Sequence, residues 1–225
     1  MYYKVILHCN ITNIHFRRKA LAYDYETTHN NILKSAKKHF KKYGFREASI
    51  RNICRDAGVT NGAFYAHFKS KEDLFDSLVS PCIKEFNSLY TAEEEGFFEI
   101  KSSTDIIKAF SQSYKSTDNL INFICSHRDI FLLILESSGG TSWENFEASL
   151  IKEESKSTKS FFELCKPFVK NPQNISDSAI SLGSSFFITS ILNSFKRGLS
   201  AQEIIKESRE VSEFCIGGYK QLLGI

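Results

Sequence analysis

Apolar residues that return every three or four positions, with almost nothing to interrupt them, decide what this chain can fold into. Only three prolines (81, 167 and 172) occur in 225 residues, and long stretches contain no glycine. These two residues are the ones that break helices, so their scarcity leaves the helical period intact. Ile32, Leu33, Ala36, Phe40 and Tyr43 share one helical stripe, and Lys34, Lys37, Lys38, Lys41 and Lys42 occupy the other faces. Gly44 then predicts a left-handed helix stop. Alternation of the strand type is weak everywhere except Tyr3 to Phe16, and no repeat of 20–50 residues is visible.

Capping residues divide the helical text. Ser49 predicts the N-cap of a helix over 50–57 that Gly58 stops, and Thr60 that of one over 61–68. Ser70, with Glu72 and Asp73 behind it, starts a helix expected to bend at Pro81 and end near residue 94. Further helices are expected at 104–126, 128–137, 142–168, 176–197 and 201–223. The reading is all-α: a three-helix helix-turn-helix head and a larger helical-bundle body, about nine helices. The expected divisions are an N-terminal extension (1–28), a head (29–75) and a body (76–225).

Composition narrows the class. With 42% hydrophobic and 24% charged residues, a disordered or collagen-like chain is excluded. The stretch 178–195 is uncharged but holds six serines, a threonine and an asparagine. It reads as a helix buried among protein partners rather than a lipid-facing span, so no membrane is expected. Val5-Ile6-Leu7 runs at once into His8, Cys9 and Asn10, a poor signal-peptide core. The six cysteines are scattered without a CxxC pair, as expected of reduced thiols in a cytoplasmic protein. Neither metal nor cofactor is expected.

Charge is uneven. Residues 1–80 carry 14 Lys+Arg against 7 Asp+Glu, while the rest carry 15 against 19. A basic first third suits a nucleic-acid-binding head, although a solvated basic face would look the same. The local pattern favours the former. In Ser49 to Phe75, two short helices flank Ala57-Gly58-Val59-Thr60, the geometry in which the second helix enters a DNA major groove. That helix opens with the small residues Asn61-Gly62-Ala63, which would let its backbone approach the groove. Phe64, Phe68, Leu74 and Phe75 are the candidate core of the head.

The ordered pattern is long: Ile32-Leu33, Ala36, Phe40 and Gly44-Phe45; then Ser49 and Ile53; then Ala57-Gly58-Val59-Thr60, Gly62-Ala63-Phe64-Tyr65, His67-Phe68, Ser70-Lys71-Glu72 and Leu74. Residues 29–78 with this pattern resemble the DNA-binding domain of the TetR (tetracycline repressor) family of bacterial regulators. The resemblance implies DNA contacts from Ser49, Arg51, Thr60, Asn61, Gly62, Ala63, Tyr65 and His67, and a phosphate contact from Lys71. Ser35, Ala48 and Cys54 depart from the family's usual Ala, Thr and Ala. The first 28 residues exceed the family's usual length, and Arg17-Arg18-Lys19 could serve as a DNA-reaching arm, an added element or a disordered tail.

In the body, Phe110, Tyr114, Phe123, Trp143, Phe146 and Phe162 are candidate lining for a small-molecule effector, with ordinary core as the other reading of each. Phe131 and Phe161 belong to the same aromatic set. Ile180, Ser184, Phe187 and Ile191, and then Val211, Cys215, Gly218 and Leu222, follow a 4-3-4 spacing. This is a seam either for a homodimer interface or for packing inside the chain. No GxSxG, HExxH or GxxxxGK[ST] pattern occurs, so no catalytic residue is assigned and no enzyme expected. Gly139-Gly140 reads as a helix-helix turn. The expectation is a sequence-specific DNA-binding transcriptional regulator, a ligand-released repressor that binds a palindromic operator as a dimer. The alternative is an α-helical small-molecule-binding protein or enzyme without DNA binding.

Overall fold

The computed structural model describes residues 2–95, 100–169 and 175–224, with side chains over 24–92, 100–169 and 175–224. Among these residues it is helical throughout: α1 (Tyr2–Glu47), α2 (Ile50–Ala57), α3 (Asn61–His67), α4 (Lys71–Glu95), α5 (Ser103–Ser126), α6 (Arg128–Ser137), α7 (Phe146–Cys165) with a 3-10 turn at Lys166–Phe168, α8 (Asp177–Lys196) and α9 (Ala201–Leu223). Arg17-Arg18-Lys19, and nearly all of the 1–28 extension, lie outside the side chains described.

Two compact units divide the chain, Met1–Leu78 with the turn Gly139–Thr141, and Val79–Ser138 with Ser142–Ile225. The division falls inside α4, which runs through Pro81.

The first unit is built on the stripe read from the sequence. Ile32, Ala36, Phe40, Ile53, Phe64, Leu74 and Phe75 are wholly buried, and Phe68 nearly so. Phe40, Phe45 and Phe75 pack at ring-centroid distances of 5.2 to 5.8 Å. Two polar contacts fix α2 against α1. The Ser35 hydroxyl donates to the Ile53 carbonyl at 2.9 Å, so this departure from the family's alanine gains a partner. His39 Nε2 meets Asp56 Oδ2 at 2.8 Å. That bond, with Arg55 beside it, holds the Asp56 carboxyl below its ordinary range.

Helix ends follow local chemistry. Gly44 interrupts α1, with φ 73° and ψ 167° rather than the left-handed helical angles expected of it. Gly58 does adopt the left-handed conformation, φ 72° and ψ 27°, which costs a residue with a Cβ about 1–2 kcal/mol. Its neighbour Val59 N–H closes back on the Cys54 carbonyl at 3.0 Å. The Thr60 hydroxyl accepts from Ala63 N–H at 3.1 Å, as an N-cap should. Ser70 caps α4 through Asp73 N–H at 3.0 Å, and the Asp73 carboxylate accepts from Lys69 N–H at 2.7 Å. Ser49 is different: it has the extended cap conformation but makes no side-chain cap bond. The backbone alone starts α2, with Ile53 N–H on the Ser49 carbonyl at 2.9 Å.

The second unit is a bundle. Helix α8 has the length and apolar composition of a membrane span, yet packs against α7 and α9. It buries Ile180, Ser184, Ile191, Leu192, Ser194 and Phe195. Arg128 closes its end by donating to the Phe195 carbonyl at 2.7 Å and to the Leu199 carbonyl, with its guanidinium over the Phe195 ring. Ser200 and Glu203 form a capping box at the start of α9. Helix α7 begins at Phe146, four residues later than expected. Residues 141–145 form turns instead, held where the Ser138 hydroxyl and Phe146 N–H both donate to the Trp143 carbonyl.

Candidate functional site

Two places in the molecule combine chemistry with access. The first is the exposed side of α2 and α3. Arg51, Thr60, Asn61, Gly62 and Tyr65 are exposed, and Ser49 and Ala63 half-buried. Tyr65 is 61% exposed although it stands edge-on to the buried Phe64 ring. A large aromatic left in water on a packed head is the informative exception here. A Cβ added to Gly62 would touch nothing nearer than its own Thr60 hydroxyl, at 3.8 Å. The fold itself therefore does not require glycine at 62, and what the small residue provides is backbone open to an outside partner. Exposed Lys34, Lys38, Lys42, Arg55 and Lys69 add positive charge to the same unit.

Two residues assigned to DNA by resemblance are placed differently. The Lys71 ammonium donates to the carbonyls of Arg46 and Ala48, both at 3.0 Å, and lies 4.6 Å from the centre of the Phe45 ring. Burial lowers its pKa. Lys71 thus ties the end of α1 to the start of α4. His67 packs inward: its ring lies 4.0 Å from Tyr25, 5.6 Å from His29 and 6.3 Å from Phe68. Desolvation, with repulsion from His29, holds it below the ordinary imidazole range. Sequence spacing could not separate these two from the exposed row, because both sit within the same motif.

The second place is a cavity of about 260 Å³ in the second unit, walled by α4 to α9. Phe86 and Tyr90 of α4, Phe110 of α5, Phe131 of α6, and Phe161 and Phe162 of α7 supply aromatic surface, and Phe187 and Tyr219 close it from α8 and α9. Phe110 and Phe162 were among the expected lining residues. Tyr114, Phe123, Trp143 and Phe146 were too, and they do not line it. Tyr114 instead donates to Glu213 at 2.5 Å with Arg209 over its ring, and Phe123 stacks on His127 at 4.3 Å. Trp143 packs on Phe146, which is itself buried against Phe131.

Part of the 4-3-4 seam faces the interior of the second unit. Ser184, Phe187, Ile191 and Cys215 line the cavity, and Ile180 is buried in the core of the same unit. The spacing marks packing within the chain at these positions. Val211 and Leu222 are half-buried, and Gly218 is exposed. The exposed apolar surface lies one step round α8 and α9, at Leu182 (72% exposed), Phe186 (50%) and Phe214 (74%). Phe186 and Phe214 meet at 5.7 Å, so the patch is continuous across the two helices.

Sequence reasoning missed Glu154, which lines the cavity from α7. It accepts from the Tyr90 hydroxyl at 3.3 Å and from the Thr158 hydroxyl at 3.4 Å. In the run Lys152-Glu153-Glu154 it looks like a solvated face. Its position four residues after Leu150 was the available clue, since both fall on one side of the helix. Tyr219 rests against α8 where Gly183 leaves space, and a methyl group at 183 would overlap its hydroxyl. Burial raises the Tyr219 phenol to about 12. Among the described residues, no group of three or more His, Cys, Asp and Glu could hold a metal ion, and five cysteines are free thiols.

Comparison with known proteins agrees with this geometry. The Transposon Tn10 TetC protein of Escherichia coli is 27% identical over 124 residues, 55% of this chain and 58% of that one. The transcriptional regulator AcrR of Shigella flexneri is 42% identical over 53 residues, 24% of this chain and 25% of AcrR. The chain thus spans well under two thirds of the length of these relatives. NalD, the secondary repressor of the MexAB-OprM multidrug efflux pump in Pseudomonas aeruginosa, shares the fold with a TM-score of 0.54 at 18% identity, over 87% of this chain and 97% of that one. Residues 32–78 match the model of bacterial regulatory proteins of the tetR family. With the α2–turn–α3 geometry above, residues 32–78 are a domain of the tetR family of bacterial regulatory proteins.

Proposed function

We propose that this chain is a sequence-specific DNA-binding transcriptional regulator and not an enzyme: a repressor that binds a palindromic operator as a homodimer and is released by a small molecule in the cavity of the second unit. One observation carries the reading. The first turn of α3 is exposed, small and polar, on a head whose interior is fully packed. In this family's geometry Asn61 reads base edges, while Arg51, Tyr65 and the α3 backbone position the helix on phosphates. The half-sites would then lie one helical turn apart, roughly 34–36 Å. Leu182, Phe186 and Phe214 supply an apolar patch for the two-fold partner. A cytoplasmic location belongs to the same reading.

Selection from a random duplex library at about 0.15 M salt tests it, because there non-specific binding is already weakened. A palindromic consensus is the expected outcome. Protein that is folded and dimeric yet enriches no sequence, before and after removal of co-purified ligand, would leave the small-molecule-binding alternative in its place.

A further inference from the structure

The cavity in the second unit offers a ligand rings and hydroxyls. Thr117 of α5, Ser157 of α7, Ser184 of α8, and Ser212 and Tyr219 of α9 bring hydroxyls to the wall from four helices. Among the described residues that line it there is no Lys, Arg or His. Glu154 on the same wall is occupied within the protein, accepting from the Tyr90 and Thr158 hydroxyls.

One of these hydroxyls is out of balance. Ser184 is only 3% exposed, and its Oγ has no hydrogen-bond partner among the described residues. Other serines of the same two helices close on carbonyls of their own helix: Ser190 on Phe187 at 2.7 Å, Ser194 on Ser190 at 3.1 Å and Ser208 on Ile205 at 2.9 Å. A buried hydroxyl without a partner has given up water and gained no bond in exchange, so folding alone would be served as well by alanine. Tyr219 adds a second donor. Burial raises its phenol to about 12, so it stays protonated at neutral pH, and its hydroxyl stands against α8 at Gly183, the residue before Ser184. A neutral oxygen on a body of rings matches these features, accepting from hydroxyls while the body lies on surfaces such as Phe110 and Phe162. A carboxylate or phosphate would lose more hydration than a neutral oxygen and find no cationic side chain on the described wall. A plain hydrocarbon would fill the space but leave Ser184 unpaired, and sites with unpaired polar groups discriminate against analogues that lack the matching atom.

We infer, resting on the cavity reading of the previous section, that the ligand is an apolar ring compound with carbonyl or hydroxyl oxygens and no carboxylate or phosphate, its oxygens seated on Ser184 and Tyr219.

The test uses three probes built on one frame: diphenylmethane, benzophenone, which adds a carbonyl, and diphenylacetate, which adds a carboxylate. Equilibrium dialysis measures each against the full-length protein, Ser184→Ala, Tyr219→Phe and the two substitutions combined. Wild type is expected to hold benzophenone about tenfold more tightly than diphenylmethane, the scale of one to two net hydrogen bonds, and diphenylacetate more weakly than benzophenone. Each substitution should reduce the preference for benzophenone, and the two together should abolish it, with diphenylmethane bound as before. Ser184→Ala without any probe should melt no earlier than wild type, because it removes a hydroxyl that the fold leaves unpaired. A structural serine would behave in the opposite way. Equal binding of benzophenone and diphenylmethane by wild type, a preference that survives in the combined variant, diphenylacetate bound as tightly as benzophenone, or an earlier melt of Ser184→Ala overturns the assignment. In each of those cases bound diphenylmethane leaves the cavity reading standing, whereas binding of no probe overturns both.

Discussion

Truncating Phe214 to alanine separates the proposed association face from the core of the second unit. Phe214 is 74% exposed in the single chain, so its side chain contributes little there. Full burial of a Phe side chain stabilises by about 1.5–3 kcal/mol. Covering the exposed three quarters on association is therefore worth about 1–2 kcal/mol per protomer. A two-fold interface uses each residue twice, giving about 2–4 kcal/mol per dimer, or a dimer Kd weakened roughly 30- to 700-fold. The folding stability of the monomer should move by no more than about 0.5 kcal/mol, as for other surface changes. Sedimentation equilibrium reads the first quantity and thermal unfolding at low concentration the second. Ile191→Ala is the control: it is buried within the chain and should cost about 2–5 kcal/mol of folding stability. If Phe214→Ala leaves the dimer Kd within threefold of wild type, the two-fold contact does not use this patch, and the assignment of Leu182, Phe186 and Phe214 to it fails.

Four further outcomes follow from individual contacts. Lys71→Ala should lower the thermal stability of the head by about 1–3 kcal/mol through loss of two carbonyl bonds, with the salt slope of DNA binding unchanged; a slope reduced by about one at unchanged stability would return Lys71 to the phosphates. Asn61→Ala should alter base preference at one operator position by about 1–3 kcal/mol, and Arg51→Ala should weaken binding to all sequences alike, both read from competition binding. His67 sits below the ordinary imidazole value, so the folded head favours its neutral form. That stability is complete above about pH 6.5 and declines as pH falls through the unfolded value toward the folded one. Tm should drop on acidification through that window, and His67→Phe should flatten the drop. Gly183→Ala should destabilise the second unit by about 1–3 kcal/mol, with part of the loss recovered by Tyr219→Leu in the same chain.

Much of the fold was legible because punctuation and period agreed. Gly58, Thr60 and Ser70 mark ends that the backbone respects, and the Ile32–Phe40 stripe is the core of the head. The start of α7 was not legible, since Ser142, Trp143, Glu144 and Asn145 contain no breaker. What delays the helix there is a local turn closed on the Trp143 carbonyl by Ser138 and Phe146. The cavity was harder. Sequence tells that a helix is rich in rings, but which rings face an empty space depends on how six helices meet, so Phe110 and Phe162 were found and Phe86 and Tyr219 were not. Periodicity on α8 and α9 likewise fixed a face without saying whether the chain itself or a second copy would cover it.

The hydropathy of α8 has a consequence for the order of synthesis. Its partner α7 precedes it, but α9 follows it. At about 5–20 residues per second, the 23 residues of α9 are added over roughly 1–5 s. Through that interval a helix of membrane-span length and composition lacks the neighbour that covers one of its sides. Until α9 is in place, the side of α8 that it covers is an apolar surface without its cover.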